Sequence, residues 1–83
     1  MTMKVKIPGY GTLTGSPITV LSMMQRARVF DDLQGDELIA EIQRTIWRTF
    51  GITIQIKGGN LAERAESLLR EMDKKHIIEI EED

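Results

Sequence analysis

The sequence predicts a small α/β domain, bordering on α+β, built as a two-layer sandwich with helices on one face of a three-stranded sheet. Three short segments alternate apolar and polar residues, which is typical of strands with one buried face. Three longer segments carry apolar residues at helical spacing. The predicted order is strand, helix, helix, strand, helix, strand. Because both crossovers contain helices, parallel pairing is expected. The 83 residues are predicted to form one globular domain, 1–83.

The first strand is predicted over residues 1–7, where Met3 and Val5 alternate with Lys4 and Lys6. Pro8 and Gly9 end it. Residues 11–15 have the composition of a loop that can contain a short extended piece.

Two helices follow. Ser16 as N-cap and Pro17 at the first helical position predict the start of the first helix. Its apolar stripe comprises Val20, Met23, Met24, Ala27 and Phe30. The second helix is predicted to begin at Gly35 or Asp36 and to stop at Gly51, because glycine enters the left-handed conformation at little cost. Its predicted buried face comprises Leu38, Ile39, Ile42, Ile46 and Phe50.

Residues 52–57 alternate as a second strand, and residues 76–81 as a third. Between them, Asn60 and Glu63 form a capping-box pattern that predicts the start of the third helix. The buried stripe of that helix comprises Leu61, Ala65, Leu68, Leu69 and Met72. Lysines on the open face of the first two strands and glutamates on the third indicate that the third strand lies beside a lysine-bearing one.

Composition excludes several classes of function. The chain has no cysteine, which excludes disulfides and thiolate metal sites. It shows neither an apolar run of membrane-spanning length nor the apolar core of a secretory signal, so a cytoplasmic location without a membrane partner is expected. The net charge of −2 comes without the basic stripe typical of nucleic-acid binding.

Gly9, Gly11 and Gly15 follow a strand and precede a helix, an arrangement that can bring backbone amides to a phosphate. Their spacing differs from the dinucleotide fingerprint, and no Lys-Ser/Thr pair follows as in a P-loop. Binding of a phosphate, nucleotide or nucleic acid by these glycines and nearby arginines is therefore the alternative hypothesis.

The remaining polar clusters have structural explanations. Asp31, Asp32, Asp36 and Glu37 do not match a calcium loop, and acidic residues stabilise a helix N-terminus. His76 is the single histidine, and a histidine near a helix C-terminus favours the dipole. We therefore predict no catalytic residue, no metal site, no cofactor and no enzymatic activity.

The first helix carries an irregularity that favours an interaction surface. Ile18, Leu21 and Val29 lie outside its main stripe, flanked by Arg26 and Arg28. Trp47 lies at the edge of the stripe of the second helix. Either the loop at residues 8–15 covers these side chains, or they contact another protein or a second copy of the chain.

The predicted order of elements resembles that of barstar-type ribonuclease inhibitors, which act by plugging the active site of a partner. The family's second-helix aspartates are not matched, because Ile39 and Gln43 stand in that register. The resemblance implies only how a domain of this shape can work without catalysis. The sequence thus predicts a small interaction module of the regulator, adaptor or inhibitor type.

Overall fold

A computed structural model describes residues 2–26 and 35–81 of the chain. These residues form a three-stranded antiparallel sheet and three helices, in the predicted two-layer arrangement. The elements are β1 (Met3–Ile7), β2 (Gly11–Gly15), α1 (Pro17–Arg26), α2 (Asp36–Phe50), α3 (Leu61–Lys74) and β3 (Glu79–Glu81).

The sheet has the order β2-β1-β3, and both pairings are antiparallel. β1 and β2 form a hairpin whose turn has Pro8 as its second residue and Gly9, at φ 79°, as its third. The backbone N–H of Tyr10 donates to the carbonyl of Ile7 (3.0 Å). Proline and a positive-φ glycine at these positions are the signature of a type II turn. The expectation of parallel strands is therefore wrong, because the second strand follows the first after only three residues.

The predicted strand at 52–57 is also corrected. The alternation itself is present: Ile54 is buried and Ile52 and Ile56 are half-buried, while the polar residues between them are exposed. The segment, however, does not join the described sheet. The amide of Gln43 on α2 donates to the carbonyl of Ile54 (3.0 Å), and the N–H of Lys57 donates to the hydroxyl of Ser67 on α3 (3.0 Å).

Within residues 2–26 and 35–81 the observed order is therefore strand, strand, three helices, strand. It differs from the order on which the resemblance to barstar-type inhibitors was based, so that resemblance supports no further argument.

One face of the sheet is covered and the other is open. Met3 and Val5 on β1 are buried, and α1 contacts β1 and β2 while α3 contacts β3. α2 packs against α1 and α3. The open face carries the polar residues of all three strands, Lys4, Lys6, Thr12, Thr14, Glu79 and Glu81. The expected lysine–glutamate pairing is confirmed, because β3 lies beside β1 with Lys4 Nζ 3.4 Å from Glu81 Oε2.

The predicted helix ends are confirmed. The N–H of Thr19 donates to the Ser16 hydroxyl (3.3 Å) before α1. Gly35 is the N-cap of α2, and Gly51 ends that helix at φ 69° and ψ 20°. The Asn60 side chain accepts from the N–H of Glu63 (2.9 Å) at the start of α3. The Ser16 and Asn60 side chains each satisfy a backbone N–H that the helix leaves unpaired, and the N–H of Gly51 donates to the carbonyl of Trp47 (2.9 Å). Gly35 makes no side-chain cap bond.

The core contains most of the predicted apolar residues and one that was placed elsewhere. The buried residues of the two longer helices are Leu38, Ile39, Ile42 and Ile46 on α2 and Ala65, Leu68, Leu69 and Met72 on α3. Leu21, which was predicted as an interaction residue outside the main stripe of the first helix, is fully buried. Phe50, which was assigned to the buried face of α2, is 54% exposed. Ala27 and Phe30 of the predicted first-helix stripe lie outside the described residues.

Leu69→Ala should lower the free energy of unfolding by about 2–5 kcal/mol, because Leu69 is fully buried and its truncation leaves a cavity between α3 and the sheet. Chemical denaturation monitored by circular dichroism measures the loss. Leu61→Ala is the matched control, since Leu61 lies on the same helix but is only half-buried. An equal loss at both positions would contradict the assigned burial.

Candidate functional site

An open cleft of about 550 Å³ lies where the β1–β2 turn, the C-terminal half of α2 and the α3–β3 turn meet. Its lining is mainly apolar. Among the described residues it comprises Ile7, Pro8, Tyr10, Met24, Ile42, Thr45, Ile46, Phe50, Met72, His76, Ile77 and Ile78. No carboxylate belongs to this set. The cleft therefore suits apolar groups rather than a metal ion or an organic cation.

The pairing of β1 with β3 forms one wall of the cleft. Lys6 on β1 lies opposite Glu79 on β3. The strands are antiparallel, so Ile7 and the hairpin turn after it lie beside Ile78 and the turn that precedes β3. Residues about 70 positions apart in sequence are thereby brought to the same end of the sheet.

The α3–β3 turn has an unusual backbone conformation at His76. The N–H of His76 donates to the carbonyl of Asp73 (3.0 Å), and the N–H of Ile77 donates to that of Met72 (2.9 Å). These two bonds define a Schellman motif, whose left-handed residue is usually glycine. Here that residue is His76, at φ 62°, the one non-glycine with positive φ among the described residues. Because a left-handed conformation costs a side-chain-bearing residue about 1–2 kcal/mol, an imidazole is kept at the cleft at some expense of stability.

An aromatic rim, which we define as Tyr10, Trp47 and Phe50, borders this end of the molecule. The three side chains are 59%, 60% and 54% exposed, and they are the large hydrophobic residues that the described part of the chain leaves in water. Tyr10 and Phe50 line the cleft. Trp47 lies three residues before Phe50 on α2, a spacing that places side chains side by side on a helix surface.

The polar groups of the cleft are few. Thr45 donates its hydroxyl to the backbone carbonyl of Glu41 (2.9 Å), so that group is already engaged. Tyr10 and His76 supply the other side-chain polar atoms of the lining. Nearby on the outer face of α2, Glu41 pairs with Arg44 (2.7 Å) and Arg48 (3.2 Å), so these two arginines form a mixed-charge surface.

The predicted interaction residues do not form one surface. Leu21 is in the core and Ile18 is half-buried against it. Arg26 ends α1, but its side chain, like all of Arg28 and Val29, lies outside the described part of the structure. Trp47, on α2, is exposed. Tyr10 and Phe50 were not predicted as site residues. The sequence offered one signal for each, because Tyr10 follows a Pro-Gly turn and Phe50 precedes the glycine that ends α2.

The three glycines of the alternative hypothesis are not gathered around a common point. All have positive φ, as expected for glycines needed by the backbone. Gly9 lies in the hairpin turn, while Gly11 and Gly15 are at opposite ends of β2. Four residue steps in a strand separate these two by roughly 13 Å. Ser16, which follows, bonds its hydroxyl to the Thr19 N–H and hydroxyl.

Within residues 2–26 and 35–81, no group of three or more His, Asp or Glu side chains is placed to hold a metal ion. Asp36 and Glu37 occupy the first turn of α2, and Asp36 pairs with Arg64 of α3. Asp31 and Asp32 lie outside the described residues. Of the helices in that part of the chain, none combines the length and apolarity needed to cross a membrane.

Comparisons of the chain with models of known protein families, with curated proteins and with solved structures give no significant match.

Gly9→Ala should destabilise the domain by about 1–2 kcal/mol, because alanine at φ 79° is strained even though nothing lies within 4 Å of the added methyl group. Gly59→Ala is the matched control: its φ is not positive, and its methyl group makes only an ordinary contact with Glu63. Thermal melts of both variants measure the difference. Equal effects would show that the turn does not require glycine.

His76→Gly should raise the free energy of unfolding by about 0.5–1 kcal/mol, because relief of the left-handed strain exceeds the added chain entropy of glycine. His76→Ala retains the strain and provides the control. Denaturant titration of the three proteins ranks them, and a glycine variant less stable than wild type would contradict the strain at this position.

Proposed function

We propose that the chain is a small, non-catalytic interaction domain that binds an apolar segment of another protein in the cleft. The observation that carries the proposal is the cleft itself, together with the aromatic rim at its border. The domain would act as a regulator, adaptor or inhibitor, in the cytoplasm as the sequence predicts.

The size of the cleft supports this proposal. Binding pockets for compact ligands measure about 300–1,000 Å³, and the 550 Å³ found here can take a few apolar side chains. A partner segment that projects such side chains from one face would fill the cleft, while its polar face remained in water.

The aromatic rim supports a protein as the ligand. Burying exposed apolar area yields about 25 cal/mol per Å², and aromatic residues are enriched at protein interfaces. Tyr10 and Phe50 are each more than half exposed, so both have area left to bury. With Trp47 beside Phe50, the partner would extend from the cleft onto the outer surface of α2.

The cleft's few polar groups support binding rather than chemistry. Nucleophilic catalysis needs a nucleophile whose proton is held by a base within hydrogen-bond reach. The Thr45 hydroxyl instead donates a hydrogen bond to the backbone of its own helix, so it is not arranged as a nucleophile. The alternative hypothesis of a phosphate, nucleotide or nucleic-acid ligand receives less support. β2 separates Gly11 from Gly15, and none of the described residues that line the cleft is a lysine or arginine.

The test begins with selection of peptides from a random library on the immobilised domain. Selected peptides are then titrated while the fluorescence of Trp47, the single tryptophan, is recorded. We expect peptides with clustered apolar residues and a blue shift on binding. Tyr10→Ser/Phe50→Ser should weaken their binding at least about tenfold, because central aromatic contacts dominate interface affinity.

Thr53→Ser/Gln55→Ser is the matched control, because both residues are exposed on the segment after α2 and lie outside the cleft. It should bind like wild type, and both double variants should melt like wild type. Peptides that bind the Tyr10/Phe50 variant as tightly as wild type would refute the proposal. Tight binding of a nucleotide or RNA that the Gly9→Ala variant loses would favour the alternative.

A further inference from the structure

The two edge strands of the sheet, β3 and β2, differ in length and in charge. β3 is three residues long and carries Glu79 and Glu81. Charged residues and short length are common protections of an edge strand. β2 is five residues long, Gly11-Thr12-Leu13-Thr14-Gly15, and has neither charge nor proline. Its other side, away from β1, pairs with no strand in the described part of the chain.

The sequence of β2 is identical in both directions, Gly-Thr-Leu-Thr-Gly. Two antiparallel copies centred on Leu13 would place Leu13 opposite the same residue of the second copy. Thr12 would lie opposite Thr14, and Gly11 opposite Gly15. This registration is self-complementary, as a two-fold interface requires, and it places threonine against threonine on one face, a favourable cross-strand pair.

We propose that the chain forms a homodimer in which the β2 edges of two copies pair antiparallel across a two-fold axis at Leu13. The two sheets become one sheet of six strands. Pairing of β2 with β2 of a second copy is favoured over pairing of β2 with β3 of another copy. The first arrangement closes with a two-fold axis, whereas the second can continue into a filament.

A two-fold axis perpendicular to the sheet keeps the two faces distinct. The half-buried Leu13 of each copy therefore meets its equivalent on the helical side, and the threonines meet on the open side. α1 contacts β2, so the first helices of the two copies flank the axis. Pairing of two five-residue edges buries less surface area than a standard stable interface does. We therefore expect a dimer that dissociates on dilution.

Cysteine crosslinking tests the register. The chain has no cysteine, so Leu13→Cys introduces a single thiol that lies opposite itself, with Cβ atoms about 4.5–5.5 Å apart. Thr12→Cys is the matched control, because its two thiols sit on a diagonal about 7–8 Å apart, too far for a disulfide. Mild oxidation should link Leu13→Cys several-fold more completely than Thr12→Cys, on non-reducing electrophoresis.

Charge variants test the same interface without altering the core. In Thr12→Glu/Thr14→Glu the new carboxylates lie opposite Lys6 and Lys4 of their own copy, so the fold is retained. Across the axis they face each other twice, and the dimer dissociation constant from sedimentation should rise about tenfold. Thr12→Lys/Thr14→Lys places its lysines opposite Lys6 and Lys4 of the same copy, so circular dichroism first checks that this variant folds. An equimolar mixture of the two folded variants should then restore the dimer, because the opposite charges face each other across the axis.

A wild-type chain that remains monomeric throughout a concentration series overturns the proposal, as does equal crosslinking at positions 12 and 13. If the natural partner of the β2 edge is an extended peptide rather than a second copy, the chain alone stays monomeric, and the proposal is overturned in the same way. These readouts measure self-association, whereas the cleft is tested by peptide binding to Tyr10 and Phe50. Failure of one proposal can therefore be told from failure of the other.

Discussion

The antiparallel pairing of β1 with β3 is the constraint on which the rest of the structure depends. β1 is the central strand, and its Val5, fully buried, lies between Leu13 on β2 and Ile80 on β3. This row of apolar side chains is the surface that α1 and α3 cover. The same pairing brings the start and the end of the chain together, so the hairpin turn and the turn after α3 become the two walls of one cleft.

Features that reduce stability are concentrated at that end of the molecule. His76 takes a left-handed conformation where glycine is usual, and Tyr10, Trp47 and Phe50 leave apolar area in water. Backbone strain and exposed aromatic area persist where the surrounding packing supports them, and they cluster at binding sites. The β2 edge is a different surface, neutral in charge, that extends away from the cleft. The proposed dimer would carry two clefts, one from each copy, on one continuous sheet.

The sequence by itself determined what depends on near neighbours. Asn60 with Glu63, Ser16 with Pro17, and Gly51 specify helix ends, because a cap joins groups three or four residues apart. Alternation at residues 52–57 correctly gave the side chains that face the core. The stripe centred on Leu69 identified the buried side of α3, and the charges of β1 and β3 indicated their adjacency. These signals come from local geometry and solvent contrast, which a single chain carries in its residue order.

Only the tertiary structure decided which backbone groups pair and which apolar residues stay outside. Residues 52–57 have a strand pattern, yet their backbone bonds to Gln43 and Ser67, while the glycine-rich residues 11–15 occupy the sheet edge beside β1. The helical patterns predicted Leu21 outside the main stripe of α1 and Phe50 inside that of α2, and the burial of both is the reverse. Neighbouring elements cover Leu21 and do not cover Phe50. The cleft combines residues from the hairpin, all three helices and the final turn. Its position depends on long-range packing, which no local period encodes.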